Sequence, residues 1–535
     1  MSACALFTSF ARGRITPARA ALRFTTLLFL SMAWSASAST WYIATNGDDT
    51  NPGTIISPFA TIMGAQSAAA ANDTVYIRGG TYFLDDSNLT LTNSPWAIVN
   101  NLHVSGISYL AYPGERPVFD FSAVQPPGWR VTAFYVTASD CVFKGFDVVG
   151  VQVTIKSGQA NNTQSECFRI VNGNRNLFEQ LAMHDGMGIG WYLTDGSSNL
   201  VLNCDAYNNR GLDSLSIGNV DGFGCHPAHT SGTGNMISGC RSWFNSDDGY
   251  DLINAKAAVT IDHCWSFYNG YFTNFVASGG DGNGFKSGGY GVSGGSYPTP
   301  VPRHTTQFCL SVRNHANGFY ANHHTGGLNF YNDTAFENND NYNMLCNLDA
   351  QSSTNDVPGF NHVLKNVLGY KGRTAEVVNL GPTNDTTFNY FTLPVIVASN
   401  DFATLDESLL TLPRQADGSL PYIAFFQLVA DSDLVDAGTN INFPFVGAAP
   451  DLGAFEYGSH APPTLAIAPS NPNVIFLGSG GYAGGTNYLV ASPDLSVPVS
   501  LWTRVATNKF DLTGAFIATN AVSGAPQQFY RIELP

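Results

Sequence analysis

Between about residue 74 and residue 390 the chain alternates short apolar runs with clusters of Asn, Gly and Asp. CVFKGFDVVG, NLVLNC, GNMISGC and AVTIDHC are examples. Each is long enough for a strand and too short for a helix, and no segment here keeps a helical period. The runs line up. Cys204, Cys240, Cys264 and Cys309 each stand five residues before an Asn, namely Asn209, Asn245, Asn269 and Asn314. A Gly-aromatic pair follows each: Gly222-Phe223, Gly249-Tyr250, Gly284-Phe285 and Gly318-Phe319, with the glycines 27, 35 and 34 residues apart. Irregular repeats of this length, each with two or three short strands, predict a solenoid, and strands with Asn-bearing turns make it a parallel β-helix. A propeller would need four hairpin-linked strands per blade, and turn signals are too sparse for that. In such a coil, equivalent residues stack at the strand spacing of roughly 4.8 Å. The cysteines then form an internal ladder, the asparagines a turn ladder and the aromatics a core stack. A spacing near 5 Å is within disulfide range, but parallel stacked side chains need special torsions, so mostly reduced, buried thiols are expected.

The ends read differently. After a first strand near TWYIAT, Pro58 opens a helix over FATIMGAQSAAAA, residues 58–71, whose small apolar residues suit a plug over the end of the coil stack. DSDLVDAGTNINFPFVGAAPDLGAFEYG reads as the last coil and its closing loop, ending near Gly458. SHAPPTLAIAPSNPN is a linker, and NYLVAS, LWTRVAT, GAFIAT and QQFYRIEL make a small β module. The predicted organisation is a signal peptide over 1–38, an all-β parallel β-helix with an N-terminal capping helix over 39–458, a linker over 459–472 and a C-terminal β module over 473–535.

The signal reading rests on Arg12, Arg14, Arg19 and Arg23, the apolar run FTTLLFLSMAW, and the small-x-small site Ala36-Ser37-Ala38. The apolar stretch is too short for a stable membrane anchor, so a secreted or periplasmic monomer without a membrane span is expected. Cleavage leaves 20 basic against 40 acidic residues and eight of the nine cysteines. A formal charge of −16 even before cleavage removes a broad basic surface for nucleic acid or anionic membrane. It also makes an anionic substrate a puzzle that a metal ion would resolve. Charged residues are only 12% of the chain, about half the usual share of roughly 25%, so their placement carries weight.

That placement is concentrated in NVDGFGCH, NSDDGYDLINA and GDGNGFKSGG. Asp221, Asp247, Asp248 and Asp251 converge on one edge of adjacent coils, where they repel one another unless a cation neutralises them. Hard oxygen ligands of this kind suit Ca²⁺. The plainer account, in which each Asp bonds turn amides, fits any one of them better than all four. The residue after each Gly-aromatic pair is Gly224, Asp251, Lys286 and Tyr320 in successive coils, which puts Lys286 one rung from Asp251 on the same face. Cys225-His226-Pro227-Ala228-His229 has metal-ligand residue types but no second cluster at zinc spacing, so core Cys and turn His are expected. His323-His324 and Arg303-His304 line the groove or belong to loops, and Asp185 is an outer ligand or a turn cap.

GNVDGFG, NSDDGYDLI and GNGFK, in this order and spacing, resemble the pectate lyases of polysaccharide lyase family 9, over roughly residues 41–458. The resemblance implies a right-handed parallel β-helix, Ca²⁺ held at the positions of Asp221, Asp247, Asp248 and Asp251, and Lys286 as catalytic base. It implies Ca²⁺-dependent β-elimination of an acidic plant-type polysaccharide such as polygalacturonate, with a rhamnogalacturonan or another polyuronate as the alternative backbone. Two rivals stand beside it. An inverting polygalacturonan hydrolase would use two of the acids and need neither Lys286 nor calcium. A non-catalytic adhesin or carbohydrate-binding solenoid would use calcium structurally. Endo or exo cleavage would be decided by the insertions at 271–281 and 288–301.

Overall fold

The computed structural model describes residues 38–534 apart from 94, 156–163, 291–296, 349–354, 460–462, 471–472, 495–496, 498 and 522–527. All but the last residue of the expected signal segment lies outside the described residues. Parallel pairing builds three sheets of 11, 10 and 11 strands. The first runs from Thr40–Ile43 to Val363–Lys365, and the second from Thr81–Asp85 to Leu368–Tyr370. The third runs from Trp96–Leu102 to Ala375–Val378, with Leu91–Asn93 added antiparallel at its N-terminal edge. Each coil contributes one strand to each sheet in turn: Val142–Lys144, Asp147–Val149 and Glu166–Val171 precede Leu177–Glu179, which pairs back onto the first.

The coils close because single residues bend the chain through the left-handed region, where Asn and Gly are least strained. Between the first and second sheets these residues include Asn203, His263, Phe308 and Asn332, and between the second and third Asn208, Phe244, Tyr268 and Arg313. Just past the second bend the expected asparagine ladder forms. Asn209, Asn245 and Asn269 each donate Nδ2–H to the Oδ1 of the next asparagine at 3.1 Å, and Asn314 continues to Asn338 at 3.0 Å. Inside, Phe223, Tyr250, Phe285, Phe319 and Tyr342 stack with ring centroids 4.8–5.2 Å apart. The eight cysteines among the described residues are buried and unbridged, and the Cys204 amide N–H reaches the Cys240 sulfur at 3.3 Å. The glycine before each aromatic is required by space. A Cβ on Gly284 would lie 2.3 Å from Ser311 Oγ and 2.6 Å from the Gly318 carbonyl oxygen.

Three expectations about the ends need correction. The capping helix is shorter than residues 58–71: it spans Ile62–Ala68, with the Thr61 hydroxyl accepting from the Gly64 amide. Residues 431–458 are not a last coil, since the last strands of the three sheets end at Val378. Instead, residues 379–391 cover the last coil, with parallel bridges from Gly359 to Leu380 and from Val363 to Asp385, and with Leu380, Tyr390 and Phe391 against the interior core. Residues 392–459 form an irregular overlay whose Phe402, Leu410, Phe425, Phe426 and Leu434 pack on the outward side chains Trp265, Phe267, Leu310 and Val312 of the second sheet. Burial against a preformed sheet stabilises this segment without a strand ladder of its own. The linker assigned to 459–472 is partly strand: Thr464–Ser470 pairs antiparallel with Asn473–Ser479. The C-terminal module is two three-stranded antiparallel sheets around Phe476, Leu489, Phe510 and Phe516. It touches the overlay where Ala483 N–H donates to the Tyr422 carbonyl at 2.8 Å.

A charged clasp fastens overlay to coils. Asp205 accepts from Arg241 Nη2 at 2.9 Å and from Arg414 Nη2 at 2.7 Å, and Arg241 Nη1 also donates to the Leu412 carbonyl at 2.8 Å. Burial alone would raise the Asp205 carboxyl, but the two guanidinium groups outweigh it and hold it down at about 2. A depressed carboxyl contributes stability that is present above its unfolded value near 3.9 and is lost as the pH falls through 2. Asp205→Asn is therefore expected to lose about 2–3 kcal/mol at pH 7 by urea denaturation, with the difference from wild type closing toward about pH 2. A difference independent of pH would contradict the clasp.

Candidate active site: a lysine within an acidic cluster

The register places the candidate residues. Gly224 pairs with Asp251, Asp251 with Lys286 and Lys286 with Tyr320, as the repeat alignment predicts. Asp221, Asp247 and Asp248 sit in the turns that enter the third sheet. There the Gly222 amide donates to the Asp248 carbonyl at 3.0 Å and the Gly249 amide to the Asn283 carbonyl at 2.8 Å. The coil ladder therefore sets the cluster's geometry.

All four aspartates and Lys286 are at least nine-tenths buried. One oxygen of each carboxylate is held by a backbone amide. Asp221 Oδ1 accepts from Asp248 N–H at 3.2 Å, Asp247 Oδ1 from Asp281 N–H at 2.7 Å, Asp248 Oδ1 from Asn283 N–H at 2.7 Å and Asp251 Oδ1 from Ile253 N–H at 2.7 Å. The plainer account of turn-capping aspartates is thus correct for half of each carboxylate. The second oxygens are what remains. The Lys286 ammonium lies 3.1 Å from Asp248 Oδ2 and 3.3 Å from Asp251 Oδ2. Asp248 Oδ2 is fully buried and makes no hydrogen bond of good geometry, despite that neighbour.

Charge is out of balance here, with one lysine against four buried acids. Burial, then repulsion from Asp247, Asp251 and Asp248, pushes the Asp221 carboxyl well up. Burial and Asp248 do the same to Asp247, and burial brings Asp248 up to about 6. Burial works to lower the Lys286 ammonium, but Asp251, Asp248, Asp247 and Asp221 outweigh it and hold the proton on. Oxygens of Asp221, Asp248 and Asp251 lie within 4.8 Å of one another. Converging oxygens and surplus negative charge fit a hard divalent cation.

Asp247 belongs to a second grouping that shares Asp248 with the first. Its oxygen groups with those of Asp248 and Asp281 rather than with Asp221 and Asp251. Asp281 and Asn283 were not singled out in the sequence, although aligning Gly284 on Gly249 sets Asn283 above Asp248. The other candidates fall outside the cluster. Asp185 pairs with His184 at 2.7 Å. Cys225 is core, and half-buried His226 lies 3.1 Å from the Asp251 carbonyl and 3.9 Å from its carboxylate, at the foot of the site. His229 pairs with Asp195 at 2.6 Å, and His323 with Asp356 at 3.2 Å. His304 accepts from the Val259 amide, His324 from the Gly289 amide, and Arg303 donates to the Leu328 carbonyl, so these three act as loop fasteners.

The family model for the Pel9A-like right-handed β-helix region matches residues 41–356. The chain belongs to that family of polysaccharide lyases. Pectate lyase L of Dickeya chrysanthemi is 33% identical over 426 residues, 78% of this chain and 90% of its own. The solved structure of pectate lyase Pel9A superposes with a TM-score of 0.63 at 30% identity, over 79% of this chain and 97% of the other. That of a rhamnogalacturonan lyase superposes with a TM-score of 0.70 at 43% identity, over 74% and 97%. The parallel coils of this lyase are accordingly right-handed. Among the described residues no helix is long and apolar enough to cross a membrane.

Removing the lysine from this cluster has a testable cost. Its loss raises the neighbouring carboxyls further, and a raised carboxyl costs stability as the pH climbs past its unfolded value. In chelator, Lys286→Met is expected to lower the thermal midpoint of the lyase more at about pH 8 than at about pH 5, where protons replace the lost charge. An equal loss at both would contradict the charge imbalance.

Proposed function

We propose that the lyase cleaves a uronic-acid polysaccharide by Ca²⁺-dependent β-elimination, with Lys286 as base and Asp221, Asp247, Asp248 and Asp251 holding the calcium. The observation that carries this reading is the Lys286 ammonium between Asp248 and Asp251, on the outward row of the third sheet. Along that row Tyr135, Arg169 and Tyr192 precede Gly224, and Tyr320 and Asn343 follow Lys286, so an extended chain has a path over the site. Gly224 keeps the path open, since a Cβ there would lie 2.7 Å from the Tyr192 ring.

In the elimination, a neutral Lys286 amine takes the proton at C5 of the uronate, next to the C6 carboxylate. The C5–H electron pair becomes the C4=C5 double bond, and the C4–O bond breaks with its electrons on the leaving sugar oxygen, which is then protonated. A Ca²⁺ held by the aspartates would supply positive charge that stabilises charge building beside C5. Those aspartates otherwise hold the proton on Lys286, so neutralising them also frees the base. The same neutralisation lets an acidic protein accept a polyanion. The segment over 1–38 serves as the export signal in this reading, and residues 464–534 form an appended module.

Polygalacturonate is the backbone favoured by the pectate lyase relatives. A rhamnogalacturonan is the second reading, favoured by the rhamnogalacturonan lyase structure at 43% identity. Both are tested by incubating the mature protein with each polymer and following the ultraviolet absorbance of unsaturated ends. A rise on one polymer is expected, abolished by chelator and slowed about 10²–10⁴-fold by Lys286→Ala. New reducing ends without absorbance would replace elimination by hydrolysis, and no cleavage of any uronate polymer would leave a binding solenoid. Because an unperturbed lysine has a pKa near 10.4, the rate is expected to climb into the alkaline range. A maximum below about pH 6 would remove Lys286 as base.

A further inference from the structure

On a different corner of the coils, where the first sheet turns into the second, the overlay of residues 415–459 leaves a cavity of ≈ 490 Å³. This is within the size range of small-molecule sites, roughly 300–1,000 Å³. The acidic cluster and Lys286 are not among its lining residues.

Two buried polar side chains in its wall have unused hydrogen-bonding capacity. Trp265 is 3% exposed and its indole N–H makes no hydrogen bond among the described residues. Gln427 is 7% exposed; its backbone groups are engaged by Ala403 and Ala424, while its side-chain amide makes no hydrogen bond among the described residues. Neither polar group is sealed away from the cavity, so both can bond a molecule that enters it. The rest of the wall is aromatic. Phe308 meets Phe443 edge-on at 5.0 Å and stacks on His263 at 4.8 Å. Its carboxylates are Asp262, which pairs with His263 at 2.9 Å, and Glu456, and among the described residues no Lys or Arg lines it.

These features select a ligand class. Ring faces match the apolar C–H face of a pyranose, while a donor from Trp265 and a donor-acceptor pair from Gln427 match ring hydroxyls. The acids repel a carboxylate, so a neutral sugar is favoured over a uronate. We propose that this cavity is a non-catalytic site for a neutral mono- or disaccharide, separate from the row where the uronate chain is cleaved. The proposal stands whether or not Lys286 is the base.

The test is calorimetric titration of the full mature protein with galactose, rhamnose, galactobiose and galacturonate. At least one neutral sugar is expected to saturate with a millimolar or lower Kd, with galacturonate at least about tenfold weaker. Gln427→Leu, which keeps the volume and removes the amide, and Phe443→Ala should each weaken the neutral sugar at least about tenfold. Lys286→Ala should leave it within about twofold. If Gln427→Leu does not fold, Phe443→Ala decides, since that side chain is only half-buried. Four results would overturn the proposal: no saturable binding by any neutral sugar, equal binding of galacturonate, unchanged binding in the folded pocket variants, or loss of binding in Lys286→Ala.

Discussion

The structure depends on register between stacked coils. Each coil is too short to bury its own apolar face, and parallel pairing with its neighbours supplies the core. Once one rung is aligned, the asparagine ladder and the aromatic stack repeat at the same height in the next, and a slip would separate both at once. The site inherits that alignment. Asp251 and Lys286 are neighbours because Tyr250 and Phe285 are, and the turn aspartates converge because Gly222, Gly249 and Gly284 let successive turns approach closely.

What the coils bring together is an imbalance of charge. Four buried carboxylates share one ammonium, and three of them are pushed up toward protonation by burial and mutual repulsion. A site of this kind is poor structural glue, since buried ion pairs seldom repay their desolvation. It is a good receiver for a small hard cation. The same electrostatics tie cation and base together: acids that would bind the ion are the acids that keep Lys286 protonated.

Much of this was legible in the sequence where chemistry repeats. The Cys, Asn and Gly-aromatic positions recur because every coil solves the same packing problem, so aligning them located Lys286 above Asp251. Asp281 was missed because it lies in a Gly-rich insertion that breaks the alignment. Residues 392–459 were not legible as an overlay. Their apolar side chains pack singly onto the second sheet, with neither a helical nor an alternating period, and only the sheet they cover explains them.

The most direct test of the central claim is to count protons during calcium binding, by titrating the metal-free protein calorimetrically in two buffers of different ionisation enthalpy. Carboxylates raised by burial and repulsion must ionise when the ion arrives, so binding near pH 6 should release protons to the buffer. Asp248→Asn should lose most of both the affinity and the release. Saturable binding without proton release, or binding that Asp248→Asn leaves unchanged, would contradict a cluster poised for a cation.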